Sequence, residues 1–278
     1  MDSVSDAEVA MRAGLAGAAV ARSRYRTGSR RVAEVGVDFT TEADVDTERA
    51  VRAVLSQLRP GDAIVGEELG ASGDSARRWL VDPICGTLNF AAGLPLFAVN
   101  VALEVDGNTV AAAVVDPIAG HAFATDGITV WRRVDGADGL LTPTSSSRLV
   151  TVNLECSYPN SAGTRLLSDE SFRSRFSPRC VSTTLALAWV ATGQHAGYVT
   201  GGDLRHSVHW AAGIALCRAA GAVVTNLAGE ELHTGAHGMV AAADAETHAF
   251  LLAVLRRLGN AVWPTLDHQT STGRPDHG

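Results

Sequence analysis

The run Arg78-Trp79-Leu80-Val81-Asp82-Pro83-Ile84-Cys85-Gly86-Thr87-Leu88-Asn89-Phe90 constrains the fold of this chain more than any other stretch. Trp79 to Val81 reads as a strand, Asp82 ends it, and Pro83 with Gly86 gives a tight turn. Thr87 to Phe90 then opens a helix with its backbone amides forward. A carboxylate beside helix-opening amides can hold a cation and a phosphate together. The oddity is Cys85, a soft thiol where a hard cation would want oxygen.

The surrounding chain can support such a site. With 278 residues, 46% of them hydrophobic, it can bury one large core or two intimate ones. Its net charge is −7, and doublets such as Arg77-Arg78 and Arg132-Arg133 form no basic stripe, so nucleic acid is not an expected partner. Cysteines 85, 156, 180 and 217 contain no C-x-x-C pair, which argues against a zinc knuckle or a disulfide framework. The acidic start Met1-Asp2-Ser3-Val4-Ser5-Asp6 does not resemble a signal peptide. No apolar run reaches the roughly 18 residues that span a bilayer. A reducing, cytoplasmic setting without a membrane partner is the expectation.

Periodicity divides the chain into two halves. Residues 5–26 and 42–58 carry apolar positions at helical spacing, closed by Gly28 and Pro60-Gly61. Strands are expected at 63–66 and 79–81, and 97–105 with 109–116 alternates around Asp106-Gly107-Asn108 as a hairpin. Segments 121–125 and 129–133 extend that sheet. The Ser/Pro-rich stretch 143–147 reads as a hinge, giving an α+β half over 1–143 that holds the motifs. An α/β half over 144–264 follows. It has strands at 149–154, 197–200, 223–226 and 240–242 and helices at 165–176, 183–192, 209–220 and 248–258. Residues 265–278 form a polar tail. No internal repeat is visible, and the whole is an α/β chain.

Four separated places offer ligands: Asp44 near the start of the second helix, Glu67-Glu68 after a strand, Asp82 with the Ile84 carbonyl and Cys85 on the turn, and His209 before Ala211-Ala212-Gly213. Each has an ordinary structural reading. Asp44 can cap its helix, the two glutamates can be solvated, Cys85 can be a small buried hydrophobe, and His209 can be a satisfied histidine.

Taken together the motifs resemble the inositol monophosphatase superfamily of metal-dependent, phosphate-releasing enzymes. The resemblance is carried by Gly66-Glu67-Glu68, by Trp79 to Phe90, and by Val208-His209-Trp210-Ala211-Ala212-Gly213. Asp38-Phe39-Thr40-Thr41-Glu42-Ala43-Asp44, Gly93 to Val99, Val114-Val115-Asp116-Pro117 and Trp189-Val190-Ala191-Thr192-Gly193 also fit, so it covers roughly residues 5–258. It implies an αβαβα layered sandwich with the site between its halves, and a homodimer. By the same resemblance Glu67, Asp82 and the Ile84 carbonyl match the ligands of a first magnesium. Glu67 and Thr87 match the pair that orients the attacking water. Asp44 matches an outer carboxylate, and the amides of Gly86 and Thr87 match a phosphate cradle. Two metals about 4 Å apart would clamp the attacking and leaving oxygens.

The departures fall on one metal. Three aspartates hold the second ion in that family; Asp82 matches one, and Cys85 and His209 stand where the other two belong. Two ligands of one ion must be neighbours, so Cys85 and His209 are expected to meet. An Asp82–Cys85–His209 set suits zinc or iron better than magnesium and would keep hydrolysis of a small anionic, phosphorylated metabolite. Alternatively no metal is held there, and Cys85, its pKa lowered by a helix N-terminus, is the nucleophile of an acyl hydrolase or transferase with His209 as base. A non-catalytic binding role is the third reading. Val181-Ser182-Thr183-Thr184 stands where the family has Gly-Ser-Ala-Ala, Ala196 stands where it has an aspartate, and the acidic residue that touches inositol hydroxyls in that family has no match among Thr200, Gly201 and Gly202. Arg205 and His206 are the candidates for meeting an anionic substrate at the mouth.

Overall fold

In the computed structural model the described residues are 4–35, 38–144, 146–154, 162–233 and 237–258. The first three residues, Cys156 and the 265–278 tail lie outside them. Helix α1 (Asp6–Arg24) is capped by Ser5, and α2 (Glu42–Leu58) by a reciprocal pair in which Thr41 and Asp44 satisfy each other's end of the first turn. A short ribbon, β1 (Arg31–Val35) with β2 (Asp38–Thr41), joins them.

Eight strands form the large sheet: β3 (Ala63–Gly66), β4 (Gly70–Ser72), β5 (Arg77–Cys85), β6 (Ala98–Val105), β7 (Asn108–Asp116), β8 (His121–Thr125), β9 (Val130–Val134) and β10 (Ala137–Leu140). Their order is β10-β9-β8-β7-β6-β5-β3-β4, antiparallel except where β3 runs parallel to β5. The one-turn helix α3 (Thr87–Ala91) follows β5. The second sheet holds β11 (Leu149–Val152), β12 (Ser177–Arg179), β13 (Gly197–Thr200), β14 (Val223–Thr225) and β15 (Met239–Ala242) in the order β12-β11-β13-β15-β14. Its helices are α4 (Ala162–Ser168), α5 (Glu170–Arg175), α6 (Leu185–Ala191), α7 (Ala211–Ala220) and α8 (Ala245–Arg257).

Side-chain parity builds the layers. Trp79, Val81, Val99, Val101, Leu103, Ala113 and Val115 face α1 and α2. The alternate positions Leu80, Ala98, Ala102, Ala112 and Val114 face α6 and α7, which also cover Tyr198, Met239 and Ala241 of the second sheet. The outer face of that sheet packs Val150, Val152, Val199 and Val240 against α4, α5 and α8. The result is the αβαβα sandwich. Among the described residues no helix is long and apolar enough to cross a membrane.

Element ends differ from the periodicity in readable ways. The helix expected at 165–176 is two helices, because Asp169 turns its carboxylate onto the Phe172 amide at 2.9 Å and starts α5. Helix α8 begins at Ala245 because Asp244 caps it. The strand expected at 79–81 runs from 77 to 85, with a register shift between Asp82 and Cys85 that accommodates Pro83. Helix α7 starts at Ala211, so His209 sits in the turn before it.

Candidate active site

Strand parity decides what Asp82 faces. It lies one step beyond Leu80 on the face toward α6 and α7, and opposite it in β6 is Asn100. Both side chains are fully buried. The turn before α7 delivers His209, whose Nδ1 is 2.8 Å from Asp82 Oδ2 and whose Nε2 is 3.9 Å from Glu67 Oε1. The bulged end of β5 delivers Cys85. One ligand atom from each of Asp82, Cys85 and His209 lies within 4.8 Å of the others. The thiol and the imidazole, far apart in sequence, therefore share one pocket.

Two residues that the sequence did not mark hold this pocket together. Thr184, ahead of α6, donates its hydroxyl to the His209 carbonyl at 2.8 Å and accepts from Asn100 Nδ2 at 2.8 Å. Its oxygen also lies 2.8 Å from Cys85 Sγ. A hydroxyl has one proton and two lone pairs. With the proton on the carbonyl and one lone pair taken by Asn100, the Cys85 S–H is the donor in the third contact. The only available signal for Asn100 was a polar residue inside the apolar alternation of β6.

This geometry corrects the expectation of a lowered Cys85 pKa. The side chain is 8% exposed, and burial, reinforced by the Asp82 charge, pushes its thiol well above the ordinary range. The helix that follows is a single turn begun by Gly86 at φ 111°, and it does not offset that burial. With no cation beside it, burial favours the thiol form of Cys85, which weighs against its use as a nucleophile.

Around Asp82 the site is rich in acceptors. Glu67 follows β3, and burial together with the charges of Asp82 and Glu68 drives its carboxyl far up. Asp44 does two jobs with two oxygens. Oδ2 caps α2 by accepting from Thr41, while Oδ1 receives the Thr87 hydroxyl at 3.1 Å. The same hydroxyl is 3.1 Å from the Ile84 carbonyl. Burial raises the Asp44 pKa as well. Glu48, which helical spacing marks only as a face residue, is fully buried. It accepts the Glu68 amide at 2.7 Å and pairs with Arg52 at 2.7 Å, anchoring the Gly66-Glu67-Glu68 turn. Gly66 is required there, since a Cβ would lie 1.9 Å from the Glu48 carboxylate. The i, i+4 spacing of Asp44, Glu48 and Arg52 on one helix face was the overlooked signal.

Arg205 and His206 are not brought to this cluster. Arg205 is chelated by Asp203. His206 faces Glu104 at 3.4 Å, beside the Arg78–Glu104 pair and further down the strands than Asp82–Asn100. They line a separate cavity with Arg218 and His233.

The carboxyl crowding has a measurable consequence. Glu68 is pushed up to about 7, chiefly by burial, with the Thr40 hydroxyl bond partly offsetting it. The native chain keeps that proton in a range where the unfolded chain, at its ordinary 4.5, has released it. The native state then binds more protons, so stability falls as pH rises through that window. Glu67 and Asp44 act in the same direction. In chelator the urea midpoint should fall between about pH 5 and about pH 7, and a divalent cation should flatten the slope. A midpoint that rises instead contradicts the crowding.

A layered sandwich with carboxylates, a carbonyl and a helix-opening turn gathered between its sheets defines a divalent-metal phosphatase type of hydrolase. The model of the inositol monophosphatase family matches residues 2–260, and this chain belongs to that family. It is 36% identical over 260 residues to an inositol-1-monophosphatase of Mycobacterium leprae, covering 86% of this chain and 85% of that protein. An inositol-1-monophosphatase of Mesorhizobium japonicum is 33% identical over 232 residues, covering 80% and 84%. Among solved structures, Mycobacterium tuberculosis SuhB superposes with a TM-score of 0.70 at 28% identity, covering 91% of this chain and 96% of that one.

Proposed function

We propose that this enzyme releases phosphate from a small phosphorylated metabolite through a remodelled metal site. The observation that carries the reading is the convergence of Asp82, Cys85 and His209 within 4.8 Å beside Glu67. The donor chemistry fits a cation. Asp82 Oδ1 and Asn100 Oδ1 are buried without a hydrogen-bond donor. The Asn100 amide cannot be turned over to remedy this, because its NH₂ faces the Asp82 carboxylate and the His209 carbonyl. Buried acceptors without donors are costly, and a cation relieves them.

Glu67, Asp82 and the Ile84 carbonyl form an all-oxygen set suited to magnesium. Asp82, Cys85 and His209 form a mixed oxygen, sulfur and nitrogen set suited to zinc or iron. When bound, such ions supply charge stabilisation for the attacking and leaving oxygens.

The protein's own groups supply the rest. Thr87 Oγ1, donating to Asp44, has lone pairs to accept a proton from the attacking water, with Glu67 orienting that water from the other side. Asp44 is the acceptor at the end of this path, and its raised pKa makes it the better base. The amides of Gly86 and Thr87 meet the phosphate oxygens. Gly86 is needed for this, since at φ 111° a Cβ would stand 2.8 Å from the Leu96 carbonyl. No carboxylate from the 200–202 region faces the site, which favours a substrate other than inositol phosphate.

Metal analysis of the purified protein tests this reading. Zinc or iron should copurify, Cys85→Ala should lose it, and chelator should stop phosphate release. Phosphate release that survives chelation, or a protein that holds only magnesium, would overturn it.

A further inference from the structure

We infer that Thr184 is a positioning residue that holds Cys85 and His209 as a pair and thereby sets the metal preference of their half of the site; this rests on the reading that both are ligands. Three observations carry it.

The first concerns where the hydroxyl points. Thr184 occupies the N-cap of α6, where a threonine oxygen ordinarily accepts an amide of its own helix. It makes no such bond. Its oxygen is spent on three other elements instead: the end of β5 through Cys85 Sγ, β6 through Asn100 Nδ2, and the turn before α7 through the His209 carbonyl, each at 2.8 Å. The Thr183 hydroxyl accepts the Leu185 amide at 3.3 Å instead, and Thr184, already in a right-handed helical conformation, turns its hydroxyl to the pocket.

The second is its place in the site. This one atom touches both residues that depart from the family's three-aspartate set. Asn100, its third partner, also faces Asp82 at 3.4 Å, so Thr184 touches the Cys85 sulfur directly, fixes the His209 main chain through its carbonyl, and meets Asp82 through a single amide. Groups behind the ligands fix their geometry, and their loss ordinarily costs about tenfold to a hundredfold in metal affinity.

The third is that the side chain cannot turn away. At Gly213 of α7 a Cβ would lie 2.8 Å from Thr184 Cγ2 and 2.6 Å from Leu187 Cδ1. The glycine lets α7 press on α6 until the Thr184 methyl is trapped, which leaves the hydroxyl facing the pocket. Both Thr184 and Asn100 are fully buried, so water does not substitute for either.

The test is cobalt(II) titration of the full-length protein and of Thr184→Val and Thr184→Ser, followed in the near ultraviolet for the sulfur-to-cobalt charge-transfer band. Wild type should show the band, the cation displacing the Cys85 proton that faces Thr184 in the metal-free protein. Thr184→Val, which keeps the shape and removes the hydroxyl, should weaken cobalt binding about tenfold or more and diminish the band, and Thr184→Ser, which keeps the hydroxyl without the trapped methyl, should recover part of both. Thr184→Val with wild-type cobalt affinity and band overturns the inference, even if its thermal midpoint falls, because the residue would then be merely structural. Wild-type protein that binds cobalt without the band shows that Cys85 is not a ligand, which removes the mixed oxygen, sulfur and nitrogen set and this inference with it, while leaving the all-oxygen set in place.

Discussion

Asp82→Asn will lower kcat/KM for phosphate release by about three orders of magnitude or more, while making the metal-free protein harder to unfold. Asp82 belongs to both ligand sets, so the substitution weakens both metals at once, and a metal clamp contributes several kcal/mol to the transition state. The opposite effect on stability comes from electrostatics. Asp82 is fully buried, its Oδ1 has no donor, and its charge helps push up Glu67, Glu68 and Cys85. Removing one charge from that crowd, with no metal to balance it, should raise the unfolding free energy by about 1 kcal/mol. Activity assays with saturating metal and urea unfolding in chelator check the two halves. Retention of more than about a tenth of the activity would show that Asp82 does not serve the metals as proposed.

Cys85→Asp combined with His209→Asp should create a magnesium-dependent phosphatase. Magnesium requires near-octahedral oxygen ligands, and a neutral thiol with an imidazole supplies neither the oxygens nor the charge. On magnesium alone the wild-type enzyme should be slow. Two carboxylates restore the hard set, and Asn100 stays in place behind Asp82. The expected result is a gain of at least about tenfold at millimolar magnesium, with zinc or iron losing its advantage. Rates measured across a magnesium titration read it out. A double variant that neither binds magnesium nor gains activity would mean that positions 85 and 209 do not share an ion.

These expectations draw unequally on sequence and structure. The places of Glu67, Asp82, Gly86 and Thr87 on a strand end, a turn and a helix start were legible because those elements are set by neighbours along the chain; their proposed roles came from the resemblance. Asp44 was legible as a cap or as a site residue. The coordinates show the cap on one carboxylate oxygen and a hydrogen bond from Thr87 on the other, so the two readings do not compete. Arg205 and His206 were expected at the mouth as cations for an anionic substrate, but they line a separate cavity. The roles of Glu48, Asn100 and Thr184 were not legible, since each is a polar residue whose purpose lies in another element.

By itself the sequence determined an α/β chain, through apolar periods of two and of 3.6 residues; its motifs, by resemblance to the family, pointed to the layered sandwich and to a thiol and an imidazole at positions 85 and 209. Tertiary structure alone decided what those two groups can do. Burial in the wall of α6, α7 and β5 holds the Cys85 sulfur as a donor to Thr184, and the close contact at Gly213 sets the distance from α6 to the His209 turn. Protonation and reach depend on desolvation and on atoms from other elements, and neither is written in the order of residues along one chain.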